Sequence, residues 1–448
     1  MLDIKYIREN AEKVKQNVLN RRVDPKKADV DELLLIDTRK TKLQREIEDM
    51  RALRNKFSES LKNEKDRTPE KIAEGKKIKE SIELAEKEFS AVETRWQELM
   101  YAMPNISADD VPTGKDDTEN LPIKKWGEPK KFDFQVRDHV DLGESLGIID
   151  IETAGKVTGS RFNYLKGDAV LLQNALYQFA ISVLTNEKIL KEIADEVENG
   201  YNPKTFIPVA PPLLINPETY TRIGRLSPET EIERYALPRD NQYLIGSAEH
   251  TLAPMHMDQT LRENDLPLRY FAFTPAFRRE AGSYGKDVRG ILRQHQFDKV
   301  EMESFTTPEN GLKEQKFIVG IQEYIMQALK LPYQVVLICT GDIGTPDYRQ
   351  IDIETWVPAQ NKYRETHSSD YVSDYQARRL QTRVKLNDGK TVIVHMNDAT
   401  VLAMGRILIT ILENYQNPDG SVTVPEVLRE YVGKDKISPS LAQSKGKE

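Results

Sequence analysis

The stretch FRREAGSYGKDVRGILRQHQF, Phe277–Phe297, sets four arginines, a lysine and two carboxylates around three glycines, between two strand-like runs. A buried hairpin has no use for that much positive charge, so the pattern points to a bound anion. Alternation along a strand puts Arg278 and Glu280 on one side of the sheet, and Arg293 and Phe297 return on the second strand. A guanidinium clamps a phosphate through two donors, a carboxylate accepts from an exocyclic amine, and a phenylalanine offers a face for a purine. Together these groups suit ATP. An exposed hairpin with solvated charges explains any one of them, but not the set.

The surrounding chain reads as an α+β domain. Strand-like runs recur at FIPVAPPLLI, QYLIGSAE, LRYFAFTPAF, ILRQHQFDKVEMESF, YQVVLICT, RQIDIETWVP, RVKLND and TVIVH, with helices expected over 168–200, 309–330 and 399–415. Several strands follow one another through hairpins rather than helical crossovers. That favours an antiparallel sheet flanked by helices over a doubly wound parallel one. Upstream, residues 105–134 are polar and rich in Pro, Gly and Asp, as a linker at a domain edge would be. The sheet domain is expected over 135–432, and the tail 433–448 is expected to be disordered.

Residues 1–104 form a separate unit. After a short helical lead-in ending near Asp24–Pro25, Ile36, Leu43, Ile47, Met50, Phe57 and Leu61 follow steps of three and four. Past a break at Asp66–Pro69, a second seam runs Gly75, Ile78, Ile82, Ala85, Phe89, Val92, Trp96, Leu99 and Met103. Two such seams joined by a polar turn predict an antiparallel coiled-coil arm over about 33–103, with helices of roughly 50 Å. Its outer faces are expected to carry Arg39, Lys40, Lys42, Arg45, Arg51, Arg54, Lys56, Lys62 and Lys65. Two uses are open: dimerisation, or contact with nucleic-acid phosphates.

Composition bounds the rest. The 448 residues carry a net charge of −7, which argues against binding nucleic acid over the whole surface. The single cysteine, Cys339, permits neither a disulfide framework nor a thiolate zinc site, so a reducing, cytoplasmic setting and no structural zinc are expected. The most apolar stretch, VLAMGRILITIL, is broken by Arg406 and is too short to span a membrane. Neither common glycine cradle for nucleotides occurs, nor HExxH, nor GxSxG. His250 and His256 lie close together without a ligand pattern.

FRREAGSYGKDVRGILRQHQFDKVE resembles motif 2 of class II aminoacyl-tRNA synthetases, and in detail that of seryl-tRNA synthetases. YLIGSAEHTLAP resembles the family's TAE loop, CTGDIG and DIETWVPAQNKYRE its following strands, and LAMGRILITILENYQ its motif 3. FIPVAPPLLIN resembles motif 1, whose Pro212 would belong to a homodimer interface. The heptad hairpin is similar to the family's tRNA-gripping arm. The resemblance runs to about Tyr431 and implies the class II synthetase fold.

It also implies roles. Arg278 would hold the α-phosphate and the substrate carboxylate, Glu280 the adenine amino group, Phe297 the adenine ring and Arg406 the γ-phosphate. Arg279, Arg293, Gln294, Thr366 and His367 complete the implied ATP site. Glu365 and Ser368 match positions for ATP and Mg²⁺, with Ser369 an alternative metal neighbour. For L-serine the resemblance implies Ser247, Ala248, Glu249, Arg278, Glu301 and Thr400, the last at the hydroxyl. The implied reaction joins serine to ATP as seryl-adenylate and passes it to tRNA(Ser), with tRNA(Sec) a second candidate. The glycine-rich turn, with Tyr284, Lys286 and Arg289, would meet the acceptor end.

Three segments depart from the family pattern: Ser247 replaces the TAE threonine, NDATVLAMGR replaces the usual glycine and serine stretch, and THSSDY replaces SSCSN. They include Ser247, Thr400 and Ser368, three of the positions to which the resemblance assigns serine or metal contacts. Two alternatives stay open: a class II paralogue for another amino acid, and a non-catalytic tRNA-binding or coiled-coil protein. Assaying exchange across the amino acids separates them.

Overall fold

A computed structural model describes residues 1–61, 68–281 and 290–439. Lys62, Lys65, Tyr284, Lys286 and Arg289 lie outside the described residues. The chain divides into two compact units that meet at Ile106 and Ser107.

In the first unit, α1 (Ile4–Glu9) and α2 (Ala11–Asn20) lead into α3 (Val30–Ser60) and α4 (Pro69–Ala102). The two long helices start where their caps dictate. Asp29 accepts from the Glu32 amide, and Thr68 accepts from the Lys71 amide with Pro69 at the first helical position. Leu43 and Ile47 on α3, and Ile82, Leu99 and Met100 on α4, are buried, while Met50, Phe57 and Leu61 are only half-buried. Opposite Phe57 stands Gly75, where a Cβ would come within 3.1 Å of the ring. The buried Asp37 accepts from Trp96 Nε1 at 3.0 Å and Arg8 Nε at 2.7 Å, tying α1, α3 and α4 together.

The outer charge differs from expectation. Arg39 pairs with Glu88, Arg51 with Glu86 and Lys40 with Glu93, all across the hairpin. Interleaved acids on the facing helix capture these cations. Arg45, Arg54 and Lys56 stay exposed.

The second unit is built on eight strands: β1 (Leu121–Trp126), β2 (Ile207–Pro208), β3 (Leu268–Phe277), β4 (Gln296–Thr306), β5 (Tyr333–Leu337), β6 (Arg349–Val357), β7 (Lys362–Ser373) and β8 (His395–Ala403). Their order across the sheet is β1-β5-β6-β7-β8-β4-β3-β2, antiparallel throughout except β2 against β3. Helices α5 (Asp168–Leu184), α6 (Glu187–Val197), α7 (Gly311–Ala328) and α8 (Met404–Asn414) belong to the main core, where Phe271, Val300, Met302, Ile353 and Val401 meet Leu176, Ile321 and Leu408. The opposite face of β4, β7 and β8 carries the polar residues of the site.

Buried charge also anchors this unit. Arg269 on β3 makes a two-pronged contact with Glu314 on α7, 2.7 Å from each oxygen, and both side chains are wholly buried. Glu314 accepts further from Ser304 Oγ at 2.6 Å and Tyr201 OH at 2.5 Å.

Four expectations change. The helix expected over 168–200 is two helices, because Asn186 caps a new one with its side chain. Residues 399–403, expected as helix, close strand β8, which is buried on both faces and shows no alternation. The strand carrying Arg278 and Glu280 ends at Phe277, and Glu280 takes a left-handed backbone with φ 51°. The tail is ordered further than expected: Lys436–Ile437 pairs with Val422–Thr423 and buries Ile437, whereas 440–448 fall outside the described residues. Among the described residues, no helix is long and apolar enough to cross a membrane.

Candidate active site

A cavity of about 520 Å³ opens on the polar face of β4, β7 and β8, the size of a small-ligand pocket. One end is cationic. Arg278 leaves the end of β3 with its backbone still paired to His295, its Nε donating to the Gly246 carbonyl at 3.0 Å. Its guanidinium lies 5.4 Å from the centre of the Phe297 ring, a cation–π approach. Arg293 reaches Glu280 at 3.4 Å, so these two meet although Arg293 sits in a bend before β4 rather than on the strand. Arg406, from the first turn of α8, lies 2.7 Å from a Glu365 carboxylate oxygen. The Glu365 charge raises the Arg406 pKa, and although burial pushes Glu365 up, Arg406 holds it below the usual carboxylate value.

Strand alternation alone cannot aim both Glu365 and Ser368 at this cavity. A bulge does so: Ile353 pairs with His367 but Glu354 pairs with Glu365, leaving Thr366 as the extra residue. Both Glu365 and Ser368 line the cavity.

The other end is acidic. Burial pushes Glu249 up, but the adjacent Arg225, 2.8 Å away, outweighs it and holds the carboxyl below its usual value. Glu301 forms a close ion pair with Lys299. Cross-strand pairing sets Glu303 opposite Asp398, and Asp398 opposite Asp370, in one row across β4, β8 and β7. Burial, followed by neighbouring carboxylates, pushes all three well above the ordinary carboxylate value. His250 accepts from the Gly246 amide at 3.0 Å, and burial beside the arginines keeps it neutral. The cavity thus presents guanidinium groups at one end and a Glu249 carboxyl held below its usual pKa at the other.

Comparison with known proteins agrees. Residues 1–107 match the seryl-tRNA synthetase N-terminal domain, and 234–415 match the tRNA synthetase class II core domain of the G, H, P, S and T enzymes. The serine–tRNA ligase of Thermodesulfovibrio yellowstonii is 41% identical over 98% of this chain and 100% of its own length. That of Fervidobacterium nodosum is likewise 41% identical, over 98% and 100%. The chain belongs to the seryl-tRNA synthetase family. Among solved structures, seryl-tRNA synthetase from Pyrococcus horikoshii complexed with ATP matches with a TM-score of 0.87 at 37% identity, covering 98% of this chain and 100% of that one. The cytoplasmic enzyme of Naegleria fowleri in complex with AMP gives 0.82 at 26% identity, covering 98% and 99%.

Not every position implied by the family resemblance reaches the cavity. Arg278, Glu280, Arg293, Gln294, Phe297, Glu365, Ser368, Arg406, Ser247, Glu249 and Glu301 line it. Arg279 does not: it is exposed, its guanidinium 5.8 Å from the Tyr235 ring. The bulge turns Thr366 and His367 inward, where Thr366 Oγ1 meets Thr355 Oγ1 at 2.7 Å and His367 Nδ1 at 2.9 Å. Ala248 is fully buried in the packing beneath the Glu249 turn. Thr400 stands behind Ser368, with the hydroxyls 3.4 Å apart, so Ser368 is the hydroxyl at the cavity surface. Ser369 is buried away from the cavity, leaving Ser368 as the candidate metal neighbour.

Sequence reasoning missed Lys299, Arg225, Asp347, Asp370 and Asp398. Lys299 was findable, since 297, 299 and 301 alternate on one strand face. Asp370 and Asp398 lie in two of the segments that depart from the family pattern. Arg225 and Asp347 come from loops with no periodicity to reveal them.

Proposed function

We propose that this chain activates L-serine with ATP and transfers the seryl group to tRNA(Ser). The observation that carries the reading is the two-ended cavity: three arginines face where a triphosphate would lie, and Glu249, held ionised, faces where the substrate ammonium would lie. The serine carboxylate attacks the α-phosphorus in line and pyrophosphate leaves with the electron pair of the broken P–O bond. A ribose hydroxyl at the tRNA terminus then attacks the mixed anhydride, releasing AMP. No protein nucleophile is needed. Arg278 neutralises charge growing on the α-phosphate, and Arg406 charge on the leaving pyrophosphate. Phe297 and Glu280 hold the base.

The donor set fits Mg²⁺. Glu365 is kept ionised, and with the Ser368 hydroxyl it offers hard oxygen donors on the phosphate side. Among the described residues no group of three or more His, Cys, Asp or Glu side chains is placed to hold a metal ion. When bound, Mg²⁺ would offset phosphate charge. A homodimer through the strip around Pro212 is supported by the exposure of Ile207, 46%, and Leu214, 37%, beside it.

The arm supplies tRNA contact. With Arg39, Lys40 and Arg51 occupied by glutamates, the exposed Arg45, Arg54 and Lys56 remain for phosphates. Replacing these three by Glu should raise KM for a tRNA with a long variable arm by about tenfold or more and leave serine-dependent exchange unchanged. An unchanged KM would remove the arm from tRNA binding.

A further inference from the structure

Arg225 is the cation at the centre of the acidic end, and neither the motifs nor the reaction assigns it a task. It enters from a loop. The helix Pro217–Arg222 is closed by Gly224, whose φ of 79° turns the chain, and the Arg225 carbonyl then accepts from Arg234 Nη2 at 3.0 Å. Its backbone is thus fixed, and its side chain is only 18% exposed.

The guanidinium Nε donates to Glu249 Oε1 at 2.8 Å, and Gln376 Nε2 donates to the same oxygen at 2.7 Å. Both donors therefore fall on Oε1. Oε2 has neither; His250 Nε2 lies 4.0 Å from it, and burial of that ring lowers its pKa and favours the neutral form. On its far side, Arg225 Nη2 lies 3.8 Å from Asp347 and 3.8 Å from Asp398. Glu249 on one side and the carboxyl groups of Asp347 and Asp398 on the other thus flank the guanidinium. A buried carboxylate without such a partner would take up a proton and lose its attraction for an ammonium ion.

We propose that Arg225 is a positioning residue for amino-acid recognition: with Gln376 it occupies one oxygen of Glu249, so that the other oxygen receives the substrate ammonium, while Asp347 and Asp398 flank Arg225 itself. This rests on the reading of the site as an amino-acid activating one. It goes further by assigning the ammonium contact to a supported pair rather than to Glu249 alone. It predicts a loss confined to one substrate and one functional group of that substrate.

The test is Arg225→Gln in the full chain, followed by amino-acid-dependent ATP/pyrophosphate exchange with both KM values measured. KM for serine should rise about tenfold or more while KM for ATP stays within about twofold, since a charged hydrogen bond is lost at one end only. Inhibition by L-glycerate, which has a hydroxyl where serine has its ammonium, should be unchanged. Arg225→Lys, which keeps the charge but not the fork, should fall between the variant and the wild type, and it carries the test if Arg225→Gln does not fold. An unchanged serine KM, an equal rise for ATP, or an equal loss of glycerate inhibition would each overturn the proposal. If the wild type activates a different amino acid, serine specificity fails but the same comparison stands with that amino acid, because the ammonium is common to all. If it activates none, both readings fail.

Discussion

Arg278→Ala should lose serine-dependent ATP/pyrophosphate exchange by on the order of a thousandfold in kcat/KM while its thermal midpoint stays close to that of the wild type. The side chain is only partly buried, and its Nε bond to the Gly246 carbonyl leaves the terminal nitrogens toward the cavity. The backbone contact to His295 survives truncation, and no core volume is lost. What disappears is a fixed positive charge at the point where the α-phosphate gains negative charge in the transition state, an effect far larger in a partly enclosed site than in water. Arg278→Lys should recover little, since an ammonium cannot bridge two oxygens as the planar fork does. Undiminished exchange in Arg278→Ala would remove this residue from the chemistry.

Glu314→Ala should have the largest effect on folding, a loss of about 3 to 5 kcal/mol by chemical denaturation. Glu314 is the sole carboxylate in contact with Arg269 among the described residues, and truncating it leaves a buried guanidinium without a counter-charge, with the Asn202 and Lys204 carbonyls at its Nη1 and the Phe317 ring 4.2 Å away. Replacing both partners, Arg269→Met with Glu314→Leu, should recover most of the loss, because no charge is then stranded. The pair also sets an acid limit. Burial would raise Glu314, yet Arg269 and its hydrogen bonds hold it below its ordinary value of 4.5. A folded pKa below the unfolded one gives stability that is present above pH about 4.5 and is lost as pH falls through the folded value. Glu314→Gln should therefore flatten the acid limb of the stability profile.

Much of this was legible in the chain because the relevant pattern is local. LRYFAFTPAF, with turn signals on both sides, became β3 over Leu268–Phe277, and the two heptad seams became α3 and α4, since spacing alone decides which face is buried. Strand β8 escaped notice because all but its first residue are buried, which erases the alternation that marks a strand. The bulge at Thr366 was equally hidden. It arises from pairing between β6 and β7, and a one-residue change in register decides whether Glu365 and Ser368 or their neighbours face the ligand. Arg225 shows a third limit: a loop residue has no period, and only the fold brings it to Glu249.

The most direct measurement is ATP/pyrophosphate exchange by the purified chain across the standard amino acids, one at a time. The account predicts exchange with L-serine well above every other amino acid, with alanine rejected because the polar groups built for the hydroxyl would be left unpaired. Exchange with another amino acid in preference to serine, or with none, would contradict it.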